Sequence, residues 1–391
     1  MITENQLHLK FKMGIVFVGL FFLIAGIVKG ADDKQIVLKV VGPENEVLPG
    51  AKIYQEYSKK GDKQYGKEYI CDNNGLVHLP EKNIFENEWQ KQEGYIGEVL
   101  YGLYKDKLAG FVVVKGSDLG KEIELKLTPT CRVHGTIKST ELTKLGQKVD
   151  WTNVYVTYVN NKTLYHQSLS FISTEGKFEF LLPIGNYGLY AYGTRLYEKK
   201  KDIKVRFWQK DKKIDFKLSA DRLANLRGKE APELQQIQGW INSKPLKLAD
   251  LRGKVVLLDF WGIWCSACVA EMPKLIDLHE KYSDKGLIII GIHDDSISSV
   301  KVLEEKIEQL SKKHWKDRKL PFAIALDGGG KCKIESTNQT AKGATTAAYG
   351  IQAWPTTVLI DKQGKVVDEY YPDRDTKMLK KLLATDIDNR P

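Results

Sequence analysis

Two cysteines placed directly after a buried strand constrain this chain more than any other feature. Residues 255–260 are an apolar run of strand length with one acid, and Trp264-Cys265-Ser266-Ala267-Cys268 follows closely. Apolar residues then recur at near-helical spacing up to Tyr282. The order of strand, cysteine pair and helix predicts that Cys265 lies at the N-terminus of a helix.

The spacing of the pair suits reversible disulfide chemistry. Free N–H groups and the positive end of the helix dipole stabilise a thiolate at a helix N-terminus, so Cys265 is the predicted exposed nucleophile. Cys268 lies one turn further on, where it can close a disulfide and resolve a mixed disulfide. Two alternatives stay open: a structural disulfide, and a zinc half-site, which would want a second Cys or His pair.

The rest of the C-terminal region alternates between strands and helices. Predicted strands are 287–292, 322–326 and a hairpin of 357–360 with 366–370, and predicted helices are 302–315 and 377–384. This alternation indicates an α/β fold with a mostly parallel sheet.

Residues 34–218 are predicted to be all-β, in two units of similar pattern. Each unit places a glycine turn before a strand, at Asp72-Asn73-Asn74-Gly75 and at Thr174-Glu175-Gly176, and each ends on an alternating strand. Such a repeat predicts tandem β-sandwiches. Residues 48–53 and 183–187 resemble elements of the prealbumin-like, carboxypeptidase-regulatory-like sandwich, and that resemblance implies no catalytic residue.

The N-terminus has the pattern of an export signal. Lys10 and Lys12 precede an unbroken apolar run at 13–28, and Lys29-Gly30-Ala31 follows. The run is slightly shorter than the roughly 20 residues that span a bilayer. We therefore favour cleavage after Gly30 over a retained membrane anchor at 13–28. Either interpretation predicts that the later residues lie outside the cytoplasm, in the periplasm or cell envelope.

Composition and charge argue against several other classes. With 42% hydrophobic and 28% charged residues, the 391-residue chain has a globular composition. The net charge of +10 is spread over short runs without interleaved aromatics, so no nucleic-acid partner is expected. Five cysteines are too few for a disulfide scaffold.

The C-terminal region resembles thioredoxin-like proteins of the TlpA/ResA type. The resemblance rests on residues 253–273 around the cysteines, on Ala231-Pro232 with 246–253 upstream, and on Tyr349-Gly350-Ile351 with 354–361 downstream. It covers about residues 229–385. It implies a dithiol–disulfide oxidoreductase that acts on other exported proteins, often in cytochrome maturation. The Cys265–Cys268 disulfide would be its redox group, without a bound cofactor, and a membrane thiol donor would supply electrons.

The resemblance also implies roles for single residues. Cys265 would attack and Cys268 would resolve. Pro355 would be cis, in a loop where Trp354 presents its backbone to the substrate and Thr356 follows; Trp264 precedes the nucleophile. Glu271 and Asp259 would be proton acceptors near Cys268. The alternatives are a surface position for Glu271, a local hydrogen bond for Asp259 and an ordinary turn for Pro355.

Two features depart from the family pattern. Ala267 stands where many relatives have proline, which leaves the redox potential open. The segment 303–348 is longer than a minimal thioredoxin needs. It contains Gly328-Gly329-Gly330, which indicates a flexible loop, and it also contains Cys332. Cys332 is either a third redox thiol or an apolar filler, and we favour the filler.

The predicted fold class is multidomain, with two all-β sandwiches followed by an α/β thioredoxin-like domain. The predicted bounds are 1–30 for the signal or anchor, 31–128 and 129–219 for the sandwiches, and 220–391 for the thioredoxin-like domain. The alternative function is a binding or scaffold protein that uses the sandwiches and holds a structural disulfide. A peroxidase is disfavoured, because Trp264 precedes Cys265 in place of a Thr-x-x-Cys setting.

Overall fold

The computed structural model describes residues 34–60, 63–160, 163–335 and 337–385. The chain divides into two compact units between Ala220 and Asp221. The predicted signal at 1–30 lies outside the described residues. Within them, no helix is both long enough and apolar enough to span a bilayer.

The N-terminal unit is built mainly from strands, with two short α-helices among its described residues. In the described part of the chain these elements are β1 (Gln35–Val41), β2 (Lys52–Lys60), β3 (Lys63–Ile70), β4 (Leu76–Pro80), α1 (Glu81–Ile84), β5 (Glu98–Tyr104), β6 (Leu108–Val114), β7 (Glu122–Lys126), β8 (Thr128–Pro129), β9 (Cys131–Lys138), α2 (Thr140–Lys144), β10 (Thr152–Asn160), β11 (Thr163–Ser173), β12 (Lys177–Leu182), β13 (Gly185–Gly193), β14 (Leu196–Val205), β15 (Asp211–Lys213) and β16 (Phe216–Lys217).

The two halves of this unit repeat one arrangement of strands. In the first half, β1 pairs antiparallel with β4 and parallel with β7. In the second half, β9 pairs antiparallel with β12 and parallel with β15 and β16. This shared pairing accounts for the repeat in the sequence, because in both halves the strand after the glycine turn and the closing strand flank the first strand.

A larger sheet runs through both halves. Its order is β14-β13-β10-β11-β2-β5-β6-β8, with β3 paired to β2, and the parallel pairing of β11 with β2 joins the halves. The mostly β character of the N-terminal region is confirmed. The separation into sandwich domains at residue 128 stays a prediction.

The C-terminal unit has one main sheet with helices packed on it. Its described elements are α3 (Arg222–Leu226), β17 (Gly239–Ile241), β18 (Val255–Trp261), α4 (Ser266–Tyr282), β19 (Leu287–His293), α5 (Val300–His314), β20 (Ala323–Leu326), β21 (Lys331–Lys333), β22 (Thr340–Lys342), α6 (Ala344–Tyr349), β23 (Thr356–Ile360), β24 (Val366–Glu369) and α7 (Thr376–Ala384).

The main sheet is mixed, with the order β17-β20-β19-β18-β23-β24. β18, β19 and β20 are parallel, whereas β17, β23 and β24 join by antiparallel pairing. The prediction of a mostly parallel sheet is therefore wrong. Parallel neighbours need a long crossover connection, and α4 and α5 supply it only between β18, β19 and β20.

The alternation of side chains along β18 divides the core of this unit. Leu257 and Trp261 pack in one apolar cluster with Cys265 and Cys268, and the intervening apolar residues of β18 pack in a second cluster. Asp259 lies two residues from both Leu257 and Trp261, and residues two apart on a strand share one face of the sheet. The acid of the buried strand therefore lies on the sheet face that carries the cysteine helix.

Helix α4 is tied to α5 through an internal proline. Pro273 has no N–H, so the carbonyl of Val269, four residues earlier, lacks its helical donor. The buried Trp315, the C-cap residue of α5, donates its indole N–H to that carbonyl at 2.7 Å. This hydrogen bond fixes the cysteine-bearing helix against its neighbour.

Candidate active site

The cysteine pair lies at the start of α4. Cys265 is the N-cap residue and Cys268 lies in the first turn. The two form a disulfide with Cα atoms 5.3 Å apart, and the Cys268 N–H donates to the sulfur of Cys265 at 3.1 Å. N–H groups of a first turn have no acceptor within the helix. The cap position thus gives Cys265 a donor that also suits its thiolate.

Both cysteines are buried in this disulfide form, with Cys265 0% and Cys268 1% exposed. The sequence predicted an exposed Cys265, and the structure differs because Ile263, Ala267 and Trp354 pack against the cluster that contains it. The side chain exposed to solvent is that of the preceding residue, Trp264, which is 46% exposed. A substrate that reaches the sulfur must therefore displace part of this apolar cover.

The loop before β23 reaches the same cluster. The Trp354–Pro355 peptide bond is cis, as the resemblance implies. The ring of Trp354 meets that of Trp264 edge to face, with centroids 5.5 Å apart. The Thr356 hydroxyl donates to the carbonyl of Ala353 at 2.7 Å and closes the loop. The tertiary structure thus brings Trp354 and Trp264 together beside the disulfide.

Asp259 is a buried carboxyl group, 1% exposed. Its Oδ1 accepts a hydrogen bond from the Thr357 hydroxyl at 3.1 Å, while Oδ2 is buried without a hydrogen-bond partner among the described residues. Burial raises the pKa of Asp259 to about 8, and the charge of Glu271 acts in the same direction while Thr357 opposes it. A carboxyl group with this pKa can exchange a proton near neutral pH.

Glu271 lies on α4, one turn beyond Cys268. Its side chain is half-buried, which fits both interpretations, so its role stays a prediction. Its charge raises the pKa of Asp259, so the two carboxyl groups interact electrostatically.

Sequence reasoning missed three residues of the site: Thr357, His293 and Asp294. The Asp294 carboxylate accepts a hydrogen bond from the indole N–H of Trp264 at 3.2 Å, and His293 accepts one from the N–H of Ile263 at 3.0 Å. A signal was present, because His293 ends a strand parallel to β18. The carboxyl ends of parallel neighbours lie at one edge of a sheet, where ligand and catalytic groups gather.

The other three cysteines form no disulfide. Cys71 and Cys131 are unpaired and buried in the N-terminal unit. Burial, together with the charge of Asp72, raises the pKa of Cys71 to about 11, and burial also raises the pKa of Cys131. Cys332 packs against a small cluster of Ile334, Ala341 and Ala347, as a filler would. Among the described residues, no group of three or more His, Cys, Asp or Glu could hold a metal ion.

A cysteine pair capping the helix after a central strand, with a cis-proline loop beside it, defines a thioredoxin-like protein. Residues 226–385 match the Redoxin family. The thiol-disulfide oxidoreductase ResA of Bacillus thuringiensis subsp. konkukian is 33% identical over 156 residues, which are 40% of this chain and 76% of that relative. The chain belongs to this ResA type of thioredoxin-like thiol–disulfide oxidoreductase.

Two further similarities cover the same region. Protein DipZ of Mycobacterium bovis is 34% identical over 139 residues, 35% of this chain and 17% of that protein. The thioredoxin domain of a thiol-disulfide oxidoreductase from Bacteroides vulgatus, known from a crystal structure, is 25% identical. That match covers 40% of this chain and 97% of the domain, with a TM-score of 0.30.

Proposed function

We propose that this enzyme is exported and reduces disulfides of other cell-envelope proteins through Cys265 and Cys268. The observation that carries the proposal is the disulfide at the N-cap of α4, whose sulfur receives the Cys268 N–H. Export is supported by Lys10 and Lys12 before the apolar run at 13–28, with cleavage favoured over a retained anchor. A thiol donor in the membrane would return the enzyme to its dithiol form.

The reaction proceeds in two exchanges. The thiolate of Cys265 attacks one sulfur of the substrate disulfide, a mixed disulfide forms, and the other substrate sulfur leaves as a thiolate. The thiolate of Cys268 then attacks the sulfur of Cys265, the enzyme disulfide closes, and the second substrate sulfur leaves. Two electrons pass from the enzyme dithiol to the substrate, which takes up two protons.

The second exchange requires that Cys268 lose a proton. We assign this proton to Asp259, whose pKa of about 8 lets it act as a base near neutral pH. Its unsatisfied Oδ2 is free to receive a hydrogen bond when the site opens. The charge of Glu271 makes Asp259 a stronger base, and the loop of Trp354, Pro355 and Thr356 holds the substrate chain by its backbone.

The N-terminal unit is assigned a binding role in this proposal. Its two halves, 31–128 and 129–219, would be sandwich domains that share the larger sheet and hold the substrate or its carrier. The repeated pairing of β1 and β9 supports two halves of similar fold.

The catalytic assignment is tested with Cys265→Ser in an insulin-reduction assay. Loss of the nucleophile should lower the rate by about 10³-fold or more, since Cys265 is the thiol that caps the helix and receives the Cys268 N–H. Cys131→Ser is the matched control, and it should keep the activity of the parent. Undiminished turnover by Cys265→Ser would overturn the assignment. Labelling of intact cells with a membrane-impermeant maleimide tests the location separately.

A further inference from the structure

The turn before the cysteine pair is hydrogen-bonded to the neighbouring strand β19. Within the turn, the Cys265 N–H donates to the carbonyl of Gly262 at 3.0 Å. The N–H of Ile263 leaves the turn and donates to Nε2 of His293 at 3.0 Å. His293 is 0% exposed, and its ring lies edge to face with that of Trp261, its partner in the parallel register of β18 and β19.

These contacts fix the protonation state of the imidazole. Nε2 receives an N–H and so carries no proton, while Nδ1 lies 2.8 Å from the carbonyl oxygen of Asp294 and so carries one. Only the neutral ring satisfies both contacts. Burial lowers the pKa of His293 and so favours this form.

Asp294 is the carboxylate whose charge acts on the ring. From the side of β20, Asp327 donates its N–H to the carbonyl oxygen of His293 at 2.9 Å, and its carboxylate accepts from N–H groups of α6. Asp294, on the same strand end, has its Oδ1 3.5 Å from Nδ1, and it opposes the lowering of the pKa. The contacts from β18 and from the turn, Trp261 and Ile263, are uncharged. A proton added at Nε2 would remove the acceptor of the Ile263 N–H, whatever the state of Asp294.

We propose that His293 is a positioning residue for thiol–disulfide exchange, whose unprotonated Nε2 holds the Ile263 N–H and so keeps Cys265 at the N-cap of α4. The inference rests on the nucleophilic role proposed for Cys265. With the acceptor removed or protonated, the turn is free to move. Cys265 then loses the Cys268 N–H that stabilises its thiolate, and its reactivity falls.

Two variants of the full chain test this role. His293→Leu removes the acceptor, whereas His293→Gln places an amide oxygen at about the reach of Nε2. The measurement is the rate at which iodoacetamide modifies Cys265 in the reduced protein, resolved by mass spectrometry and followed against pH. His293→Leu should react about tenfold more slowly at pH 7, because a smaller fraction of the Cys265 thiol is ionised. His293→Gln should stay within about threefold of the parent.

The pH profile separates positioning from simple structural support. The parent should lose Cys265 reactivity on acidification more steeply than one thiol titration allows, because His293 also gains a proton. His293→Gln should show the thiol titration alone. A folded His293→Leu with the parental rate and profile would overturn the inference, and so would a His293→Gln that keeps the steep acid limb, even if His293→Leu fails to fold. An unreactive Cys265 in the parent would instead contradict the proposed function.

Discussion

The two units of this protein bury different kinds of polar group. In the described part of the C-terminal unit, the side chains of Asp259, His293, Asp294 and Asp327 are each at most 2% exposed. Among the side chains of the N-terminal unit whose burial the structure describes, the buried polar ones are neutral, namely Gln90, Ser139, Thr152, Asn153, Thr157 and Ser170. Burial of an ionisable group lowers stability unless it is well paired. The contrast therefore places the buried ionisable side chains of the described residues in the C-terminal unit.

The cysteines repeat this contrast. Cys71 and Cys265 are both buried, yet only Cys265 caps a helix and receives an N–H from its first turn. Burial among apolar residues raises the pKa of Cys71. Burial alone therefore does not set the reactivity of a thiol. An N–H donor at a helix N-terminus lowers the thiol pKa and so opposes the effect of burial.

The largest predicted difference between the two units is the rate at which their buried cysteines are alkylated. With a pKa of about 11, only about one Cys71 thiol in 10⁴ is ionised at pH 7, against a few per cent for an ordinary thiol. In the reduced native protein, iodoacetamide should therefore modify Cys265 at least about 100-fold faster than Cys71. Time-resolved mass spectrometry of the modified peptides measures both rates in one sample. Equal rates would remove the distinction between the two units.

A smaller effect concerns stability against pH in the variant Asp259→Asn. The pKa of Asp259 is about 4 in an unfolded chain and about 8 in the folded protein. The native state therefore binds this proton more tightly, and the resulting stability is present below about pH 4 and lost as the pH rises towards 8. Asparagine does not ionise, so Asp259→Asn should be more stable than the parent by about 2–4 kcal/mol at pH 7.

The two proteins should have nearly equal stability near pH 4, as measured by urea unfolding across the pH range. Thr357→Val is the matched control, because it removes the hydrogen bond that lowers the pKa of Asp259. It should extend the loss of stability to a higher pH, while the loss still begins near pH 4, the pKa of the unfolded chain. A pH dependence that survives in Asp259→Asn would assign the effect to another group.

The smallest predicted effect is the loss of stability when a helix loses its N-cap serine, and it should be the same in the two units. Ser139 caps α2 in the N-terminal unit and Ser299 caps α5 in the C-terminal unit, each accepting an N–H at 3.3 Å. Replacement of either serine by alanine should cost about 1 kcal/mol of stability, since each leaves one N–H unsatisfied. Neither variant should change the rate of disulfide exchange. A slower exchange in Ser139→Ala would show that the N-terminal unit takes part in the chemistry.

Much of the redox unit could be predicted from the sequence because its signals are local. The strand, the cysteine spacing and the helix are contiguous, so periodicity and capping place Cys265 and Cys268 without reference to the rest of the chain. The roles of Asp259, Glu271 and Pro355 came from the resemblance, and they stay predictions. The repeated glycine turns likewise indicated two similar β halves.

What only the tertiary structure decided involves residues far apart in the chain. The pairing of β11 with β2, the hydrogen bond from Ile263 to His293 and the packing of Trp354 over the disulfide each join distant segments. Sequence periodicity reports which face of an element is apolar, but not which element covers that face. The sequence by itself determined the reactive pair and the helix that bears it. Long-range packing determined how deeply the pair is buried and which side chains hold it in place.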